Sequence, residues 1–94
     1  MIIKWLDDAI YDLRSSRPYI AQDKPSAANH VAKRILHSVN LLLAHSGIGK
    51  PGRVPGTREL VVSNTPYIIP YRVRKNSIEI LRVLHAAMQW PNEF

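Results

Sequence analysis

The stretch TRELVVSNTPYIIPYRVRKNSIEILRVLH, residues 57–85, decides the fold. Three runs rich in Val, Ile, Leu and Tyr occur in it, at 57–62, 67–73 and 78–85. Ser63-Asn64-Thr65-Pro66 and Arg74-Lys75-Asn76-Ser77 separate them, and both strings carry turn chemistry. Two short turns in succession make an antiparallel meander of three strands. Pro70 lies inside the middle run. It cannot donate to a ladder, so it marks a bulge or a position whose nitrogen faces away from the neighbouring strand. The last run is apolar on both sides, with Ile78, Ile80 and Leu84 on one and Leu81 and Val83 on the other. Such a strand is central, or its second face is covered.

Upstream, residues 46–56 are rich in Gly and Pro and read as a loop carrying the basic residues Lys50 and Arg53. Before it, Ala28, Val31, Ala32, Ile35, Val39, Leu42 and Leu43 form an apolar stripe. That stripe predicts a helix from about Ser26 to His45, with Lys33, Arg34 and His37 largely on its other side. Pro25 suits the helix start, and Gly47 can end it. Leu6, Ala9, Ile10, Leu13 and Ile20 recur at helical spacing behind Asp7 and Asp8, which can cap that helix and favour its dipole. Pro18 predicts a kink or break near Arg14–Arg17, and residues 22–24 a turn. Ile2 to Trp5 reads as a strand with Ile3 and Trp5 on one face.

The expected fold is therefore α+β in one domain over residues 1–94: an N-terminal strand, an α-helical hairpin, then the three-stranded meander. The helices can cover only one sheet face. A partner or the tail, Met88 to Phe94, is expected on the other. A domain of 94 residues has a thin core, leaving room for a partner chain to add stability.

The chain holds 13 basic and 7 acidic residues, a formal net charge of +6, and no cysteine. A small basic domain attracts nucleic acid or an acidic protein; the plainer alternative is a merely soluble basic chain. Without cysteine there is no disulfide framework or thiolate metal site, which suits a cytoplasmic location. No apolar run reaches the length of a membrane span. His30, His37 and His45 stand seven and eight apart on the second helix, wrong for helical metal ligands, so no metal and no cofactor are expected. The Gly residues match no phosphate loop.

Several strings resemble the RelE/ParE toxin superfamily. Trp5-Leu6-Asp7-Asp8-Ala9 is similar to the start of its first helix, and Tyr19-Ile20-Ala21 with Asp23 and Pro25 to its inter-helix turn. RVPGTRELVV at 53–62, PYIIPYRV at 66–73 and ILRVLH at 80–85 resemble its successive strands, closer to the ParE-like branch. The resemblance implies the toxin of a type II toxin–antitoxin module, active in growth inhibition and plasmid stabilisation. It also implies a cognate, often acidic, antitoxin that wraps the toxin and contacts operator DNA itself, so that the toxin meets that DNA only indirectly.

The superfamily holds ribosome-dependent mRNA endoribonucleases (RelE-like) and non-nucleolytic poisons of DNA gyrase (ParE-like). RNA scission needs a base, an acid and a cation at the phosphate. Arg58 stands where the nucleases often carry a basic residue, but Leu60 replaces a second one and Ile68 replaces an arginine. Losing one such group costs a factor of about 100–1000 in rate. Glu59 alternates away from Arg58 and Leu60 and is a poor substitute base. The expected function is thus growth inhibition by binding, with gyrase as target. The alternative is a ribosome-dependent endoribonuclease using Arg58, Arg72, Arg82 and His85; a further alternative is a non-toxic basic nucleic-acid-binding domain. Arg58, Arg72, Arg74, Lys75, Arg82, His85 and Trp90 are the candidate contacts to target or antitoxin. For Arg72, Arg74 and Lys75 a solvated turn explains the charge equally well; for His85 a strand-end hydrogen bond to backbone or antitoxin is the better explanation, since its catalytic companions are missing. Arg82, among apolar residues, requires a carboxylate. Trp5 reads as core.

Overall fold

A computed structural model describes the backbone of residues 1–21 and 25–94 and the side chains of 1–15 and 29–94. The order is β1 (Ile2–Trp5), α1 (Asp7–Ala21), α2 (Pro25–Leu41), β2 (Lys50–Pro51), β3 (Arg58–Val61), β4 (Tyr67–Val73), β5 (Ser77–Ile80) and β6 (Leu84–His85). The sheet runs β1-β5-β4-β3-β2, with β6 also on β4. β3, β4 and β5 form the antiparallel meander, and β1 adds parallel to β5 from Ile2 opposite Ser77 to Trp5 opposite Ile80. The last apolar run, expected as one strand over 78–85, is split: its first part, β5, is central between β1 and β4, and its end, β6, pairs with β4.

One face of the sheet carries the core. Ile35 and Val39 of α2, Leu42 just beyond its end and Ala9 of α1 are buried against Leu60, Val62, Tyr67, Ile69, Tyr71, Ile78 and Ile80. Each large aliphatic side chain sealed there contributes about 1.5–3 kcal/mol. Leu43, expected on the same stripe, is exposed. The helix ends before it: from Leu42 onward the backbone turns with Leu42 N to Val39 O and Leu43 N to Asn40 O bonds, a tighter winding that swings Leu43 outward. The α-helix therefore stops at Leu41, short of His45 and Gly47.

α1 runs unbroken through Arg14–Arg17 and three residues beyond Pro18. One proline removes one hydrogen bond, and packing against α2 holds the rest of the helix. Asp7 and Asp8 lie within the first turn, behind Leu6, whose carbonyl accepts the first helical bond from Ile10. They act on the dipole from inside the helix. The turn expected at 22–24 lies outside the described residues.

The loop expected at 46–56 contains a two-residue edge strand, Lys50 opposite Glu59 and Pro51 opposite Arg58. Two residues are too few to leave a periodic signal.

Pro70 does mark a bulge. Tyr71 pairs Ile80 and Ile68 pairs Leu84, so Ile69 and Pro70 on β4 face the longer segment 81–83. The Pro70 carbonyl accepts a bond from Leu81 N on that side. The nitrogen of an extended residue points to the same edge as its carbonyl, so the missing N–H falls at the bulge and no regular rung is lost. The extra residue also reverses the inside–outside phase of the residues after it. Val83 joins the core with Ile78 and Ile80, while Leu84, expected beside those two, is buried on the second face with Leu81.

The tail covers that second face. Trp90 stacks on the Arg53 guanidinium, 3.7 Å from ring centroid to Cζ, and its indole N–H donates to His85 O. Arg53 N in turn donates to the buried carboxylate of Glu59, opposite Pro70. Phe94 shares a small cleft with Arg72 and Leu81.

A candidate binding groove beside the bulge

The bulge aims Arg82, Val83 and His85 at the first helix. A groove of about 550 Å³ opens between Tyr11, Asp12 and Ser15 of α1 and the β6–tail segment, where His85 and Met88 form the opposite wall. Tyr67 and Val83 line it as well, and Tyr11 and Met88 stand largely in solvent at its rim.

Arg82 is held by a two-pronged ion pair. Its Nε donates to Asp12 Oδ2 at 2.6 Å and Nη2 to Asp12 Oδ1 at 3.0 Å. Asp12 Oδ2 also accepts Val83 N at 3.0 Å. The carboxylate thus satisfies both the guanidinium and a backbone donor freed where the ladder breaks. The bond to Asp12 raises the arginine's pKa above its ordinary value, against the opposing effect of burial.

His85 packs edge-on to Tyr67, with ring centroids 5.5 Å apart. Its Nδ1 accepts Ala87 N at 3.1 Å, and its carbonyl anchors Trp90. A ring that accepts at Nδ1 carries its proton on Nε2 when neutral. Arg82 and His85 are the two expected residues that share the groove. Asp12, Tyr11 and Tyr67 join them, and none of the three stands out in the sequence. For Asp12 the sequence carries only a demand: a half-buried arginine needs a carboxylate.

The remaining candidates lie elsewhere. Arg58 sits opposite Tyr71 and His85 opposite Tyr67, so four residues of β4, about 13 Å, separate them. Arg58 Nη1 donates to the carbonyls of Gly49, at 2.8 Å, and Gly47, at 3.3 Å. Beside it the Tyr71 hydroxyl donates to Ser46 O and accepts Gly49 N. Burial raises the Tyr71 pKa, opposed by the Gly49 N–H and the nearby Arg58 charge. Together they fasten the 46–56 loop to the sheet. Gly49 lies so close that an added Cβ would stand 2.6 Å from the Tyr71 ring.

Arg72 is on the second sheet face, opposite Glu79, and both Arg72 and Arg74 bond its Oε1, at 3.0 and 3.1 Å. The bond from Arg74, with Arg72 adding to it, holds the Glu79 pKa below its usual 4.5. Lys75 is exposed in the turn between β4 and β5. Trp90 is on the second face with Arg53. Leu60 is buried in the core, and Ile68 is half-buried.

Comparison with known proteins agrees with this architecture. The family described as the ParE toxin of the type II toxin–antitoxin system parDE matches residues 3–90. The chain is 45% identical over 89 residues to a protein of Sinorhizobium fredii named putative toxin Y4kP, covering 95% of this chain and 92% of that one. It is 35% identical over 85 residues to toxin RelE2 of Caulobacter vibrioides, covering 90% and 94% of the two chains. A solved chain of the chromosomal ParDE system from P. aeruginosa superposes with a TM-score of 0.81 at 33% identity, over 90% of this chain and 95% of that one. With its fold, its strand order and almost its whole length matched in this way, the chain belongs to the ParE toxin family, within the RelE/ParE superfamily of type II toxin–antitoxin toxins.

Proposed function

We propose that this toxin inhibits growth by binding DNA gyrase, without catalysis, and that a cognate acidic antitoxin neutralises it. One observation carries the reading: the groups that an RNA-cleaving site would need are either hydrocarbon or already engaged. Leu60 and Ile68 offer no charge or proton. Arg58 is occupied by loop carbonyls, Arg72 by Glu79 and Arg82 by Asp12. Arg58 and Arg72 lie on opposite sheet faces, since Arg58 pairs with Tyr71 and the side chains of Tyr71 and Arg72 alternate. Each of these arginines already shares its charge with an internal acceptor, which weakens its pull on a phosphate. For contact with the target that leaves His85, the groove rim and the exposed end of the β4–β5 turn at Lys75. The net charge of +6 favours an acidic antitoxin.

His85 beside Arg82 in a groove, and a relative named RelE2, support the second reading, a ribosome-dependent endoribonuclease. Two assays separate the readings. Purified toxin is expected to inhibit gyrase supercoiling and to leave message intact on programmed ribosomes. Message cleavage that disappears in both His85→Ala and Arg82→Ala would establish the nuclease instead. Unimpaired supercoiling at excess toxin would remove gyrase as the target.

A further inference from the structure

The outer face of α2 carries a second cleft, remote from the core stripe, of about 520 Å³. His30, Lys33, Arg34, His37 and Ser38 line it from the helix and Ser63 from the β3–β4 turn. The spacing i, i+3, i+4, i+7, i+8 puts the five helical residues on one face, opposite Ile35, Val39 and Leu42. Arg34 is fixed in place: Nε donates to His30 Nε2 at 3.0 Å and Nη1 to Ser63 O at 3.4 Å. These bonds tie the cleft's two walls together and hold a cation in its floor.

Among the described residues, no acidic side chain pairs with this charge. None occurs in sequence between Asp23 and Glu59 or between Glu59 and Glu79. Glu59 is buried and bonded to Arg53 N, and it alternates to the sheet face away from the helices. Among the described residues, every ion pair involves Arg53, Arg72, Arg74 or Arg82, so none neutralises Lys33 or Arg34.

We propose that this cleft is a phosphate-backbone site for nucleic acid. Lys33 and Arg34 supply the charge, and the two imidazoles and two hydroxyls supply further donors. Residues 30–37 span about 10 Å of helix at 1.5 Å per residue. A side-chain row of that length can contact neighbouring phosphates of a single strand. An acidic peptide fits less well, because Leu41 is the one apolar lining residue and nothing else there would hold apolar side chains between the carboxylates. The contacts go to the backbone, so binding is independent of base sequence. Such a site would serve whether or not gyrase is the target.

The test is fluorescence anisotropy of the full chain with a short duplex DNA, a single-stranded RNA of equal length, and polyglutamate, each followed from about 50 to 200 mM salt. Nucleic acid is expected to bind with a negative log–log salt slope of about 0.9 per phosphate contacted on duplex. Lys33→Gln is expected to reduce that slope by about 1 and to weaken binding at low salt severalfold, with any duplex sequence. Lys33→Glu weakens it further, while Lys4→Gln, on β1, leaves it near wild type. Lys33 is exposed and makes no side-chain bond among the described residues, so both Lys33 variants should melt like the parent. The relative affinities for DNA and RNA identify the source of the phosphates. Unchanged affinity and slope in both Lys33 variants would overturn the proposal, as would polyglutamate binding more tightly than either nucleic acid.

Discussion

Arg82 shows what one residue can disclose and what it cannot. A guanidinium set between Leu81 and Val83 demands a carboxylate, and this much is legible in the sequence. Which carboxylate answers is not, because Asp12 lies 70 residues earlier, on a helix. Asp12→Ala removes both prongs of the pair and the acceptor for Val83 N, leaving a half-buried charge alone. We expect a loss of about 2 kcal/mol in urea unfolding. Adding Arg82→Met to that variant should recover part of the loss, since the stranded charge goes with it; no recovery would mean that the cost lies in Val83 N. Glu79 gives the pH-dependent counterpart. Its folded pKa is depressed below 4.5, chiefly by Arg74 with Arg72, so the contribution is complete above 4.5 and fades as pH falls through the folded value. The stability gap between wild type and Glu79→Gln should be constant near neutrality and close on acidification. A gap that did not narrow on acidification would contradict the assignment.

At the scale of elements, periodicity reveals the meander and the core of α2, since their patterns are long enough to repeat. It fails where one residue changes the phase. Pro70 announces a bulge, but nothing in the string says on which partner the extra residue lies. Read by simple alternation, Leu84 and Val83 therefore exchange faces. Periodicity fails again at β2, which exists only because Lys50 and Pro51 are drawn against β3, helped by Arg58 and Tyr71 binding the preceding loop. The groove has the same origin as the Val83–Leu84 reversal, because the bulge that reverses the alternation turns Arg82 and His85 toward α1. Pro70→Ala tests this. It restores an N–H aimed at the bulge, where no rung awaits it, and removes ring packing from a buried site. We expect destabilisation by about 1–3 kcal/mol in thermal or urea melts. A more stable variant would mean that the N–H finds an acceptor and that proline is not matched to the distortion.

At the scale of the whole molecule, the question is how a sheet with helices on one side keeps its other side dry. The C-terminal segment does so by an order of contacts that its composition does not disclose. Ala86 N bonds Pro66 O, Trp90 sits on Arg53, Arg53 is tied to Glu59, and Phe94 reaches the cleft beside Leu81. Trp90 reads from the sequence as a cover for the sheet or a contact for a target, and in the fold it is half-buried within this chain of contacts. Deleting residues 88–94 keeps the Ala86 bond and uncovers Leu81, Leu84 and Pro70. Re-exposing the two leucines alone costs about 3 kcal/mol or more, a large share of what holds so small a domain together. The truncated chain should unfold at clearly lower urea and bind a hydrophobic dye that the full chain ignores. If Trp90→Ala alone reproduced the whole loss, the tail would act through its stack on Arg53. If truncation changed neither melt nor dye binding, the second face would be dry for a reason other than the tail, and the burial of Leu81 and Leu84 would have to come from the strands themselves.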